Sequence, residues 1–164
     1  MTQPESPKPH APPQDGPKQD PRWYRDGLCF SCTACGNCCT SNGEYAYVYV
    51  TPPEIQAIAS HLGMTKPAFQ AKYCLETDGW ITLSMPDSGC VFLDAERRCQ
   101  IYEARPRQCR TWPFWQENLK PGVWQGSMKV ICPGLDTGPR TGADQIDAIA
   151  QANEDWYDSN GGLD

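Results

Sequence analysis

Apolar and polar positions recur along this chain in short stretches, none long enough for a large element. Tyr45, Tyr47, Val48, Tyr49 and Val50 make an aromatic and β-branched run that predicts a strand. Thr51-Pro52-Pro53-Glu54 follows, with threonine three residues ahead of glutamate and proline at the first helical position, which starts a helix. Ile55, Ile58, Ala59 and Leu62 then form one apolar stripe at helical spacing, and Gly63 ends it. Thr65-Lys66-Pro67 opens a second short helix carrying Phe69 and Tyr73 and ending near Cys74. Trp80 to Met85 alternates as a strand. Pro86 to Gly89 turns the chain into Cys90-Val91-Phe92-Leu93, and Asp94 to Glu96 turn it again toward Cys99, so this region predicts small antiparallel strands whose turns present cysteines. Ala104 to Trp115 reads as compact turns or a short helix. Val123 to Ile131 reads as a further strand or hairpin arm, and Gly138-Pro139 as a linker. A last helix begins near Thr141, with Ile146, Ile149, Asn153 and Trp156 at helical spacing.

These elements predict an α+β fold: a small, loop-rich domain of short antiparallel strands and a few helices. Three segments are expected. Residues 1–21, with seven prolines among polar residues, form a disordered Pro-rich tail. Residues 22–135 form the domain. Residues 136–164 form a linker and an amphipathic helix that packs on it. The apolar share is a modest 39%, so a bound metal is expected to hold the loops in place.

Cysteine changes this picture most, with 10 in 164 residues. So many cysteines mean either a disulfide scaffold or a metal site. The opening residues hold no apolar stretch for a secretory signal or an anchor, and nothing later is long enough to span a bilayer. The expected compartment is therefore cytoplasmic, where thiols stay reduced and metal is favoured over disulfide. The formal charge of -6 argues against a general nucleic-acid binder.

Five of the cysteines fall within eleven residues, in Cys29-Phe30-Ser31-Cys32-Thr33-Ala34-Cys35-Gly36-Asn37-Cys38-Cys39. A two-residue gap lets one tight turn aim two sulfurs at one point, as zinc and iron sites require. Cys35-Gly36 has the form of a zinc knuckle, while Cys32, Cys35 and Cys38 have a ferredoxin-like triple spacing that Cys132-Pro133 would complete. Adjacent side chains diverge, so Cys38 and Cys39 are expected to serve different ions or a cluster. Cys90, Cys99 and Cys132 stand beside turn residues. Cys74 is expected to be a small buried hydrophobe.

The string from Phe30 to Cys39 resembles the signature of the CxxCxxCC cysteine-cluster family, described as zinc- or iron-chelating proteins. Cys90-Val91-Phe92-Leu93, Cys99-Gln100-Ile101-Tyr102, Arg105-Pro106-Arg107-Gln108-Cys109-Arg110-Thr111-Trp112-Pro113 and Cys132-Pro133-Gly134 resemble its second half in the same order. The resemblance covers roughly residues 28–134. It implies eight metal-binding cysteines: Cys32, Cys35, Cys38, Cys39, Cys90, Cys99, Cys109 and Cys132. Cys29 extends the usual run and departs from the pattern. A similar cysteine cluster is found in flagellin lysine N-methylases, which are longer chains.

Arginines crowd the second half. Arg105 and Arg110 flank Cys109 and are expected to support metal-bound thiolates, while Arg97 and Arg98 are expected on the surface. With Tyr102, Trp112, Phe114 and Trp115 nearby, a zinc-stabilised nucleic-acid module is one alternative. No Walker loop, nucleophile elbow, Rossmann fingerprint or His-Glu-x-x-His occurs, and neither His10 nor His61 makes a convincing ligand. The sequence thus predicts a metal-binding protein with zinc or iron as cofactor, an iron–sulfur cluster included. Its partners are metal ions and an unspecified protein, with neither nucleic acid nor membrane among them. An iron–sulfur redox or group-transfer enzyme is the alternative from a different class, and no catalytic residue is assigned.

Overall fold

The computed structural model of the chain describes residues 21–40, 47–86 and 89–160. The expected tail thus falls, up to residue 20, outside the described residues. The fold is α+β, as the pattern predicts, with helices and two small antiparallel sheets.

The first helix, α1 (Pro52–His61), starts where Thr51 predicts. One Glu54 oxygen accepts hydrogen bonds from the Thr51 backbone N–H and hydroxyl, both at 2.8 Å. Its other oxygen accepts from the Arg107 backbone N–H at 2.6 Å. One carboxylate therefore ties the start of α1 to α3 (Arg107–Thr111), the short helix that carries Cys109. The second helix, α2 (Lys66–Tyr73), is capped by the Thr65 hydroxyl, which accepts from the Ala68 N–H.

Strand β2 (Cys74–Thr77) follows directly and pairs with β3 (Trp80–Leu83), Cys74 opposite Leu83 and Thr77 opposite Trp80. The helical reading at Cys74 hid β2. The strand expected from Tyr45 is reduced to one bridge, Tyr49 to Thr82, flanked by Val50 N–H to Ile81 O and Leu83 N–H to Val48 O. Tyr45 and Ala46 lie outside the described residues.

Three local expectations are corrected. The stretch from Cys90 to Cys99 is a set of turns with one bridge, Leu93 to Cys99, because the Asp94 side chain and carbonyl accept from the Arg98 and Arg97 backbone N–H groups and close the chain tightly. Residues 121–131 are helical, running through α4 (Pro121–Val123), a π-helical turn Trp124–Met128 and α5 (Lys129–Ile131). A strand would have put Val130 on the face of Trp124 and Met128. Instead Trp124 and Met128 are buried while Val130 is 85% exposed, so packing overrides the β propensity of the segment. Gly138 and Pro139 do not form a loose linker but lie in β4 (Leu135–Thr141), which pairs antiparallel with β1 (Leu28–Phe30). Gly138 has φ +74°, and a Cβ there would stand 2.5 Å from the Ser31 Cβ, so glycine permits the close crossing.

The last helix, α6 (Ala143–Asn160), buries Ile146, Ala150 and Asn153. Arg22 and the Tyr24 hydroxyl bind its Asp147 carboxylate and fasten the start of the described chain to it.

Burial falls into two clusters. One joins Leu28, Phe114, Trp124, Met128, Leu135 and Ile146 around α6 and the π turn. The other joins Ile55, Ile58, Phe69, Leu83, Phe92 and Ile101 around α1 and α2. Trp124 is fully buried and stacks on Phe114 with ring centroids 6.0 Å apart. Trp124→Ala is expected to cost about 3–5 kcal/mol in chemical denaturation, since a whole buried ring is removed.

Candidate metal centre

A cavity of about 480 Å³ lies between the two cores. Its aliphatic wall comes from both sides: Leu83 and Ile101 from the α1–α2 cluster, Met128 from the α6 cluster. Six thiols line it, those of Cys32, Cys38, Cys39, Cys90, Cys99 and Cys109. They arrive from three parts of the chain: the cysteine loop after β1, the turns from 90 to 99, and α3.

Backbone chemistry brings the three parts together. Ala34 and Gly36 both have positive φ, 53° and 72°, and fold the cysteine loop into a knuckle. At Gly36 a Cβ would stand 2.4 Å from the Arg97 carbonyl oxygen and 2.9 Å from Leu93 Cδ1, so only glycine lets the knuckle seat on the 93–97 turn. Arg97 secures the same contact, donating from Nε to the Cys35 carbonyl at 3.2 Å and from Nη2 to Asn37 Oδ1 at 3.1 Å. Asn37 in turn donates to the Ile131 carbonyl at 2.7 Å, next to Cys132. The Cys90 N–H donates to the Cys39 carbonyl at 2.7 Å.

Cys38 and Cys39 do not diverge as expected. Residues Asn37–Cys39 form a 3₁₀ turn, in which neighbouring side chains are separated by about a third of a turn and not by the half-turn of a strand. Both thiols line the cavity, and they are hydrogen-bonded to each other.

The thiols act on one another. The hydrogen bond from Cys39 and then burial push the Cys38 thiol up, with the Arg105 guanidinium opposing. Burial pushes Cys109 up, and Cys90, Cys38 and Cys99 add to it. Burial is also the main cause at Cys90 and Cys99, where Arg105 again opposes the shift at Cys99. Arg105 lines the cavity, lies 3.4 Å over the Tyr102 ring and donates to the Tyr102 carbonyl at 2.7 Å. It is thus the cation that offsets negative charge on the thiol cluster.

The other four cysteines differ. Cys35 does not line the cavity, although its neighbours Ala34 and Gly36 do. Cys132 is buried in the α6 core, one residue past the cavity-lining Ile131. Cys29 lies in β1 opposite Arg140. Cys74 packs on the α1–α2 core away from the cavity, and burial alone raises its thiol. Among the described residues all ten cysteines are free thiols, and no three His, Cys, Asp or Glu side chains form a closed ligand group. The donor set of the wall nevertheless fits a thiophilic ion: among the described residues it offers six thiols, the single carboxylate of Glu117 and no imidazole.

The arginines are bound within the protein. Arg98 pairs with Asp94 and Glu96 on the surface, as expected. Arg107 donates to the Ala152 carbonyl and Arg110 to the Arg105 carbonyl. Arg97 is exposed, as expected, and it also lines the cavity and clamps the knuckle. Its sequence neighbourhood gives no sign of this role, which depends on a left-handed backbone at φ +64°.

Thiols gathered from separate segments around one space are donors of the kind that thiophilic metal ions take. This chain belongs to the CxxCxxCC family, whose model, described as "Putative zinc- or iron-chelating domain", matches residues 31–133, more than half of its length. Membership supports zinc or iron binding and bears out the resemblance carried by the cysteine motifs. No solved structure matches the chain. Among the described residues no helix is long and apolar enough to cross a membrane.

Gly36→Ala is expected to weaken metal binding and to destabilise the protein more than Gly63→Ala. Both positions are left-handed, but Gly63 has nothing within 4 Å, so its variant is expected to lose only the conformational term of about 1–2 kcal/mol. Denaturation curves and metal content on the two variants check this.

Proposed function

We propose that this protein holds zinc or iron between its two cores through thiolates, and that the bound metal fixes the cysteine loop against the 90–99 turns and α3. The carrying observation is the convergence of Cys32, Cys38, Cys39, Cys90, Cys99 and Cys109 on one cavity beside Arg105. The full proposed ligand set adds Cys35 and Cys132, whose neighbours Gly36 and Ile131 reach the same cavity. Cys29 and Cys74 stay outside it.

The ion would draw the thiols into their thiolate form, so that its binding free energy becomes folding free energy. The chain's own residues do the rest. Gly36 and Arg97 seat the knuckle, Glu54 positions the helix bearing Cys109, and Arg105 offsets thiolate charge. A cytoplasmic role as a metal-stabilised store or carrier fits this arrangement.

An iron–sulfur reading has its own support. The cavity extends past the thiols to Trp112, Val123 and Met128, which leaves room beside a cluster for a small molecule. In that case the metal centre would supply electron transfer or group activation.

Metal analysis of single variants tests the assignment. Cys109→Ser is expected to lower metal affinity at least about tenfold and to reduce the melting temperature. Cys74→Ser is expected to keep the metal stoichiometry. Metal lost from Cys74→Ser and kept in Cys109→Ser would contradict the proposed ligands.

A further inference from the structure

Five aromatic rings gather on the surface where β3 begins, residues 47–50 pass and α6 ends. Ring centroids lie 4.8 Å apart for Tyr49 and Trp80, 5.7 Å for Tyr49 and Tyr157, 5.8 Å for Trp80 and Trp156, and 6.1 Å for Tyr47 and Tyr49. None of the five is buried, and Tyr47 is 37% exposed. They belong to neither core. Contiguous aromatic surface of this kind is a feature of interaction sites, because a ring gives large contact area at small entropic cost.

Acidic groups border the rings. Glu117 and Glu154 act on Tyr157, Asp78 acts on Tyr49, and Glu154 is itself raised by burial and then by Glu117, Asp158 and Asp155. Among the described residues no ion pair engages any of these acids. Ring faces attract cations, and an acidic border adds to the attraction. The same border repels a phosphate backbone.

We propose that this face docks a lysine- or arginine-bearing segment of a partner protein at the mouth of the metal cavity. Tyr47 and Glu117 belong both to the aromatic face and to the cavity wall. Gln108, next to Cys109, accepts from the Tyr49 N–H and donates to the Tyr47 carbonyl, each at 3.0 Å, so the face is tied to the helix that carries a cavity thiol. A segment bound here lies beside the thiols. This inference concerns recognition and goes beyond metal chelation.

The test uses the full chain with its metal bound. The probes are a fluorescent peptide of arginine–glycine repeats and its glutamine–glycine counterpart. The arginine peptide is expected to bind and the glutamine peptide not to. Trp80→Ala is expected to weaken binding about tenfold with no change in net charge, and Trp80→Phe to restore most of it. Tyr47→Ala, at an exposed rim position, gives the same direction even if Trp80→Ala disturbs folding. Equal arginine-peptide affinity in wild type, Trp80→Ala and Tyr47→Ala would overturn the proposal, since it would reduce binding to bulk acidity. So would equal binding of the glutamine peptide, tighter binding of a single-stranded oligonucleotide, or a dimer of this chain abolished by Tyr47→Ala.

Discussion

Thiols facing one another across the gap between two small cores are the constraint on which the rest of this structure depends. Each core alone is modest, and the segments that join them are turns. Those turns are pressed together by a few contacts that leave no slack: the Gly36 approach to the Arg97 carbonyl, the Asn37 link to the end of α5, and the backbone bond from Cys90 to Cys39. The result places soft, partly desolvated thiols where an apolar core would otherwise continue. Burial holds several of them in the neutral form, and Arg105 is the cation that works against it. A thiophilic ion resolves this arrangement by replacing several protons with one shared charge.

Family membership supports zinc or iron as the ion, and a thiol-lined wall suits either. They also relate stability to function. An ion that links the cysteine loop, the 90–99 turns and α3 acts as a cross-link between cores. Cys32 is nonetheless exposed, so the centre is not sealed from solvent. An accessible thiolate centre is suited to exchange with other molecules, in contrast to a fully enclosed structural site. The acid-bordered aromatic face at the same mouth gives such exchange a direction from which a partner would approach.

Much of this was legible in the sequence where local chemistry decides the outcome. The Thr51-to-Glu54 start of α1, the Thr65 cap of α2 and the periodicity of α6 depend on neighbours a few residues apart, and the spacing of the cysteines named the family. The failures share a cause, which is that distant partners decided them. Residues 123–131 carry β-forming side chains, yet Trp124 and Met128 are drawn to the α6 core as a helix. Gly138-Pro139 has linker composition, yet β1 lies alongside to pair with it. Arg97 is the expected surface arginine, yet its clamp on the cysteine loop exists only once that loop folds back on it. Cys38 and Cys39 seemed bound to diverge because the 3₁₀ turn that brings both to one cavity leaves no local signal.

X-ray absorption at the edge of the bound metal tests the central claim most directly. The account predicts a first coordination shell made of sulfur, at about 2.3 Å for either zinc or an iron–sulfur centre. A first shell dominated by nitrogen or oxygen near about 2.0–2.1 Å would contradict it, because among the described residues the cavity wall offers thiols, one carboxylate and no imidazole.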